Sequence, residues 1–164
     1  MAGGTAWAGG TASICCPVIA AVITAVDTSV LISIAKDELD AHAWIGALAK
    51  AQAEGELVIC DVVAAEYFAV LLNEEKFRES LSALGISFSP TTIESAKLAG
   101  RIFKEYRREG GPREHLIPDF LIGAHAQKQA VRIAAIDRGY LRHYFPGLPV
   151  LKPLAPGPSK KSET

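Results

Sequence analysis

The sequence predicts an α/β fold in which a mostly parallel sheet is sandwiched between helices in three layers, α/β/α. Three observations carry this expectation. Short, β-rich apolar runs alternate with longer helical stretches, the pattern of parallel strands joined by crossover helices. The first of these runs, residues 22–26, reads as a buried strand. Acidic residues stand where two of the runs end, and in such folds the C-terminal ends of the strands form the working edge. The chain has 164 residues, 49% of them hydrophobic and 21% charged. That is enough for one domain with a real core, and it excludes a disordered chain.

The first 20 residues are Gly- and Ala-rich and carry no cation; the first is Lys36. A secretory signal needs a positive start, and the apolar stretch from Ser13 to Val26 is broken by Pro17 and too short for a bilayer. Residues 1–20 are therefore expected to be a disordered leader or a mis-called start, 21–152 the domain, and 153–164 a disordered Pro-, Gly-, Ser- and Lys-containing tail. A cytoplasmic protein with no membrane association is expected. The Gly-Gly pairs are not a phosphate loop, because no strand precedes them and no Gly-Lys-Ser/Thr follows.

Taken in order, residues 22–26 read as a buried strand that stops at Asp27-Thr28-Ser29, a helix cap. Residues 30–35 are a buried first helix or turn. A helix is expected over 37–54, with Leu39, Ala43, Leu48 and Ala51 as its stripe, Trp44 and Ile45 widening it, and Gly55 as C-cap. A second strand covers 57–60, and Asp61 caps a helix over 62–72. Residues 74–84 form a further helix ended by Gly85, followed by a strand at 86–88. Thr91 and Thr92 open a long helix through Arg108 that buries Ile93, Ala96, Leu98, Ile102 and Phe103, and Gly110-Gly111-Pro112 is a loop. A helix begins at Asp119, strands follow at 131–136 and around 148–151, and the domain is complete.

Four carboxylates stand out. Asp27 and Asp137 fall at predicted strand C-termini. Asp119 lies in the first turn of a helix that is apolar on nearly every side, where the macrodipole alone would favour it. Glu66 sits among Val62, Val63, Ala69 and Val70 at helical spacing, and burying a lone carboxylate there would cost several kcal/mol. Singly, each acid has a structural explanation as a cap or turn residue. Together they would raise one another's pKa unless a cation intervened, and oxygen-only ligands select hard Mg²⁺ or Mn²⁺ over Zn²⁺. A cation so held can activate water for phosphodiester hydrolysis.

Other chemistries lack their residues. Cys15, Cys16 and Cys60 form no C-x₂-C pair, and His42, His115, His125 and His143 show no metal-binding spacing. No G-x-S-x-G is present. The formal net charge of −1 excludes binding of nucleic acid by bulk charge, so any such contact must be local. Arg101, Lys104, Arg107, Arg108 and Arg113 cluster just before Asp119 and are candidates for holding RNA phosphates, with a solvated helix face as the plain alternative.

These residues resemble the PIN domain, in particular VapC-type toxin ribonucleases. The matching segments are Val26-Asp27-Thr28-Ser29-Val30-Leu31, Ala65-Glu66-Tyr67-Phe68, Pro118-Asp119-Phe120-Leu121-Ile122-Gly123-Ala124-His125-Ala126, and Ile136-Asp137-Arg138-Gly139-Tyr140 with Phe145-Pro146-Gly147-Leu148 following. They span roughly residues 22–152. The resemblance implies a metal-dependent endoribonuclease with Asp27, Glu66, Asp119 and Asp137 around Mg²⁺ or Mn²⁺, and a hydroxyl at Thr28 or Ser29 that helps arrange the site. It also implies a homodimer silenced by a small antitoxin protein. One departure is Ala135, where family members often carry Thr or Ser; another is the N-terminal extension.

The alternatives are a PIN-fold RNA-processing nuclease, a catalytically silent binding module of the same fold, and a receiver-type phosphoacceptor domain. Lys152-Pro153 superficially matches the last. A receiver, however, wants adjacent acids after its first strand and has no use for Glu66.

Overall fold

β1 (Val22–Val26) is the central strand of a five-stranded sheet, and its Thr24, Ala25 and Val26 are buried. The structure, a computed structural model, describes residues 22–111, 117–136 and 140–153. α1 (Thr28–Ala35) follows at once and buries Thr28, Val30, Leu31 and Ser33. α2 (Ala41–Glu54) starts later than the composition implies, because Asp37 takes a left-handed φ of 52° and breaks the helical run. Its buried face is Ala41, Trp44, Ala47, Leu48 and Ala51, whereas Leu39 lies fully exposed ahead of the helix and Ile45 points outward.

Gly55 closes α2 but is also the first residue of β2 (Gly55–Ile59), in extended conformation rather than the left-handed cap expected of it. Its glycine requirement is close approach: a Cβ there would lie 2.1 Å from the Val22 carbonyl oxygen of the neighbouring strand.

α3 (Asp61–Leu71) is preceded by Cys60 at the N-cap position, so Asp61 is not the cap. Its carboxylate instead accepts the Thr91 N–H at 2.6 Å, tying α3 to the loop beyond the third strand. α4 (Glu74–Ala83) is capped by Asn73, whose side chain accepts the Lys76 N–H at 2.8 Å. Gly85, at φ 62°, turns the chain into β3 (Ile86–Phe88).

α5 (Ile93–Arg108) is capped by Thr92 and buries Ser95, Ala99 and Ile102, while Ile93 is exposed. The buried stripe is displaced from the larger apolar residues because α5 packs along α6 (Pro118–Gln129), where small side chains permit close approach. α6 contributes Phe120, Ile122, Gly123, Ala124, His125 and Ala126 to the interior. The chain then forms β4 (Arg132–Ala134), shorter than expected because it pairs with its neighbours only over those residues, and β5 (Val150–Leu151). Between them lies α7 (Tyr140–Tyr144), for which the sequence offered no signal.

The strand order is β3-β2-β1-β4-β5 and every pairing is parallel. Parallel neighbours need crossover connections, which the intervening helices supply. The expected α/β/α architecture is present. Among the described residues no helix is long and apolar enough to cross a membrane. The expectations for residues 1–20 and for most of the tail fall outside the described residues.

Candidate active site at the sheet edge

The chain leaves β1 toward β2 on one side and later returns to place β4 on the other, so the strand order reverses between β1 and β4. In open α/β sheets ligands bind in the crevice beyond the strand ends at such a point. Asp27 stands there. Its backbone N–H donates to the Ala134 carbonyl at 2.9 Å, which extends the β1–β4 ladder by one bond.

The Asp27 carboxylate caps α1, accepting the Ser29 N–H at 3.2 Å and a short hydrogen bond from the Ser29 hydroxyl. The same Ser29 oxygen accepts the Ile136 N–H at 3.1 Å. A hydroxyl has one proton and two lone pairs, so both contacts fit one side chain. Thr28, buried at the start of α1, donates through Oγ1 to Glu66 Oε2 at 2.5 Å. Two adjacent hydroxyls thus gather Asp27, Glu66 and the segment that follows β4. The sequence left open which of Thr28 and Ser29 would support such a site; each hydroxyl bonds a different one of the candidate carboxylates, Thr28 to Glu66 and Ser29 to Asp27.

Glu66 is half-buried beside the buried Val63 and Tyr67. The cost of partial burial is offset by the Thr28 hydroxyl and avoided in part because α3 turns an apolar surface outward: Phe68, Val70 and Leu72 are exposed. Glu66 therefore does not bear the full burial cost that its apolar helical neighbours imply.

Asp119 occupies the first turn of α6, exposed, on a helix that packs against β1 and β4. Among the described residues, no three His, Cys, Asp or Glu side chains stand close enough to hold an ion. The structure ties Glu66 to Thr28 and Asp27 to the adjacent Ser29, but among the described residues it does not draw Asp119 into a shared ligand set with them. Asp137, Arg113 and His115 lie outside the described residues. The donors fit a hard divalent cation in kind, since all are carboxylates or hydroxyls.

Competing chemistry is unsupported here too. Burial pushes the Cys60 thiol up from its ordinary value, so it stays protonated and is a poor nucleophile. His125 is buried with Nε2 3.2 Å from Ser89 Oγ, and burial pushes its imidazole down, toward the neutral form. His143 is exposed on α7, 3.4 Å from Glu109.

Arg101, Lys104, Arg107 and Arg108 are all exposed on α5, and the Arg107 guanidinium lies 5.7 Å from the Phe103 ring centroid. Two other cations, Arg142 and Lys152, line a cavity at the C-terminal edge of the sheet. No sequence pattern marked Arg142. Lys152 stood out only in the Lys-Pro pair.

An all-parallel sheet with carboxylates and hydroxyls assembled at its switch point defines an α/β protein with an acidic edge site. More particularly, the chain belongs to the PIN domain family, whose profile matches residues 24–146. Similar solved structures include VapBC2 from Rickettsia felis bound to a promoter DNA fragment, at 17% identity and TM-score 0.59, covering 79% of this chain and 97% of that one. VapBC-1 from nontypeable Haemophilus influenzae is similar at 14% identity and TM-score 0.57, over 79% and 96%. FitAcB from Neisseria gonorrhoeae is similar at 22% identity and TM-score 0.53, over 79% and 97%. At these identities the likeness is one of fold. Among curated proteins, no sequence matches significantly.

Proposed function

We propose that this PIN domain is a metal-dependent endoribonuclease of the VapC type, the toxin of a toxin–antitoxin pair. The observation that carries the reading is the Thr28–Ser29 hydroxyl pair holding Glu66 and Asp27 at the β1–β4 switch point. The resemblance between VapBC complexes and this fold supports the toxin role.

In this reading Asp27, Glu66, Asp119 and Asp137 hold Mg²⁺ or Mn²⁺, some directly and some through water. The bound cation would supply an activated water and neutralise charge on the phosphoryl oxygens. The chain's own residues do the positioning. Ser29 fixes the Asp27 carboxylate and the backbone at Ile136, next to Asp137, while Thr28 orients Glu66. A homodimer and an antitoxin partner belong to the same reading, and the exposed Phe68, Val70 and Leu72 supply apolar surface for an interface.

The test is cleavage of single-stranded RNA by the full chain. We expect hydrolysis with Mg²⁺ or Mn²⁺, none in EDTA, and a loss of at least about 100-fold in Asp27→Asn, Glu66→Gln and Asp119→Asn, with circular dichroism unchanged. Full activity in EDTA, or in these variants, would refute the assignment.

A further inference from the structure

Three segments meet at the Asp119 end of the candidate site, and aromatic rings join them. Tyr106 near the end of α5, Phe120 in the first turn of α6 and Tyr144 of α7 form one cluster. Ring centroids are 5.4 Å apart for Tyr106 and Phe120, 6.0 Å for Tyr106 and Tyr144, and 5.2 Å for Phe120 and Tyr144. Phe120 is buried and is the residue after Asp119, so the cluster packs the first turn of α6 against α7. Next to Tyr144 lies His143, its ring centroid 4.5 Å away and the two planes at 88°. The imidazole Nε2 is 3.4 Å from Glu109 Oε2, and the Tyr144 hydroxyl donates to the same oxygen at 3.0 Å.

His143 is held yet open. Tyr144 and Glu109 fix how its ring stands, while its side chain remains 62% exposed. A ring already ordered loses less entropy when a planar group stacks on it. The charges at this end of α5 cancel, with Glu105 and Glu109 set against Arg107 and Arg108. A nucleotide here is therefore not gathered by the net charge of α5, and stacking on an exposed ring is the contact that the surface offers. Phe88 is exposed too, but it lies on β3, which β2 and β1 separate from β4.

We propose that His143 is a platform on which a base of single-stranded RNA stacks, on the α7 side of Asp119. Single-stranded RNA presents unstacked bases, and imidazole is among the rings on which proteins stack them. Every base has a π-face, so the contact holds substrate without demanding a particular sequence. In a chain of net charge −1, affinity that does not come from the overall field has a specific use. The proposal rests on the reading of this chain as a ribonuclease, and it deepens that reading by naming a residue that touches the substrate's bases.

The experiment measures binding apart from cleavage and bases apart from backbone. A fluorescein-labelled single-stranded RNA dodecamer of mixed sequence is titrated with the full chain in EDTA, and Kd is read by anisotropy. A second dodecamer has the same sugar–phosphate backbone but is abasic throughout. His143→Ala is expected to weaken binding of the base-bearing RNA by about tenfold and to leave binding of the abasic one unchanged. His143→Phe should bind the base-bearing RNA within about threefold of wild type, because the stacking face survives while the contact with Glu109 does not. Circular dichroism of both variants controls for the fold. Wild-type affinity in His143→Ala would overturn the platform, and so would an equal loss on the abasic RNA, which would mean a backbone contact. A His143→Phe protein no better than His143→Ala would overturn it as well, since the pairing with Glu109 would then be what matters. Absence of any cleavage by the wild type with Mg²⁺ or Mn²⁺ would instead overturn the ribonuclease reading, so the two failures are distinguishable.

Discussion

Ser29 is the side chain on which most of the edge geometry turns. Its proton goes to the Asp27 carboxylate, and its lone pair receives the Ile136 N–H. Ser29→Ala removes both at once, leaving a carboxylate with fewer donors and a backbone N–H with no side-chain acceptor. A hydrogen bond to a charged group contributes about 1.5–3 kcal/mol, and loss of a group that orients metal ligands typically costs 10–100-fold in activity. The expected outcome is a kcat lowered by about 10–100-fold with KM little changed, and retention of most activity in Ser29→Thr. Single-turnover RNA cleavage, with circular dichroism as a fold control, checks this. Thr28 differs in kind: buried, it acts on Glu66 across the interface between α1 and α3, so Thr28→Val should lower stability as well as activity. The Thr28 partner could not be read from sequence, because Thr28 and Glu66 are joined by tertiary packing rather than by spacing; the Ser29–Asp27 contact lies within the helix cap that the sequence marked.

The glycines separate three structural demands at the level of strands and helices. At Gly55 a Cβ would meet backbone of β1 at 2.1 Å, and backbone in a paired strand cannot step aside. At Gly123 it would meet the Phe145 ring at 2.4 Å, a buried side chain with limited room to move. At Gly46, exposed on α2, it would meet nothing within 4 Å. Overpacking costs about 1–3 kcal/mol, and replacing an exposed helical glycine by alanine gains roughly 0.5–1 kcal/mol. Urea denaturation should therefore rank Gly46→Ala above wild type, then Gly123→Ala, then Gly55→Ala, and a Gly55→Ala protein of wild-type stability would contradict the parallel β1–β2 register. The α2–β2 junction was legible as a boundary, since glycine ends helices commonly. The reason for the glycine was not, because it lies in a strand from elsewhere in the chain.

For the molecule taken whole, acid stability is the property that the interior predicts. His125 is buried on α6 and donates to or accepts from Ser89, next to the Gln129 side chain that bonds Ser89, Pro90, Thr92 and Ser95. Burial pushes its pKa below the ordinary value of 6.5 in the folded state, with the Ser89 hydrogen bond and the Asp61 charge opposing. The unfolded chain thus binds the proton more readily. The stabilisation is present above about pH 6.5 and is lost as pH falls below it, by at most about 1.4 kcal/mol per pH unit from this residue. Urea midpoints at pH 7.5 and 5.5 should differ more for wild type than for His125→Asn, and equal differences would show that His125 is not the group responsible. Around it, α5 and α6 pack together and bring the small residues Ser95, Ala99, Gly123, Ala124 and Ala126 into the interior.

The alternation of β-rich runs with helical stretches was enough to specify an α/β/α fold, because a parallel pair demands a crossover helix and each buried strand demands apolar residues on both faces. It also placed β3 at residues 86–88 and Asp27 at the end of β1. Short motifs in order, some weak alone and the Pro118–Ala126 segment fairly specific, pointed to the PIN domain that the family match then showed. What local pattern could not supply was convergence. The strand order that puts Ile136 beside Ser29, the pairing of Thr28 with Glu66, the outward apolar face of α3, and the meeting of Arg142 with Lys152 at one cavity all join residues far apart in the chain. Periodicity reports which face of an element is apolar; only packing against other elements determines what that face meets.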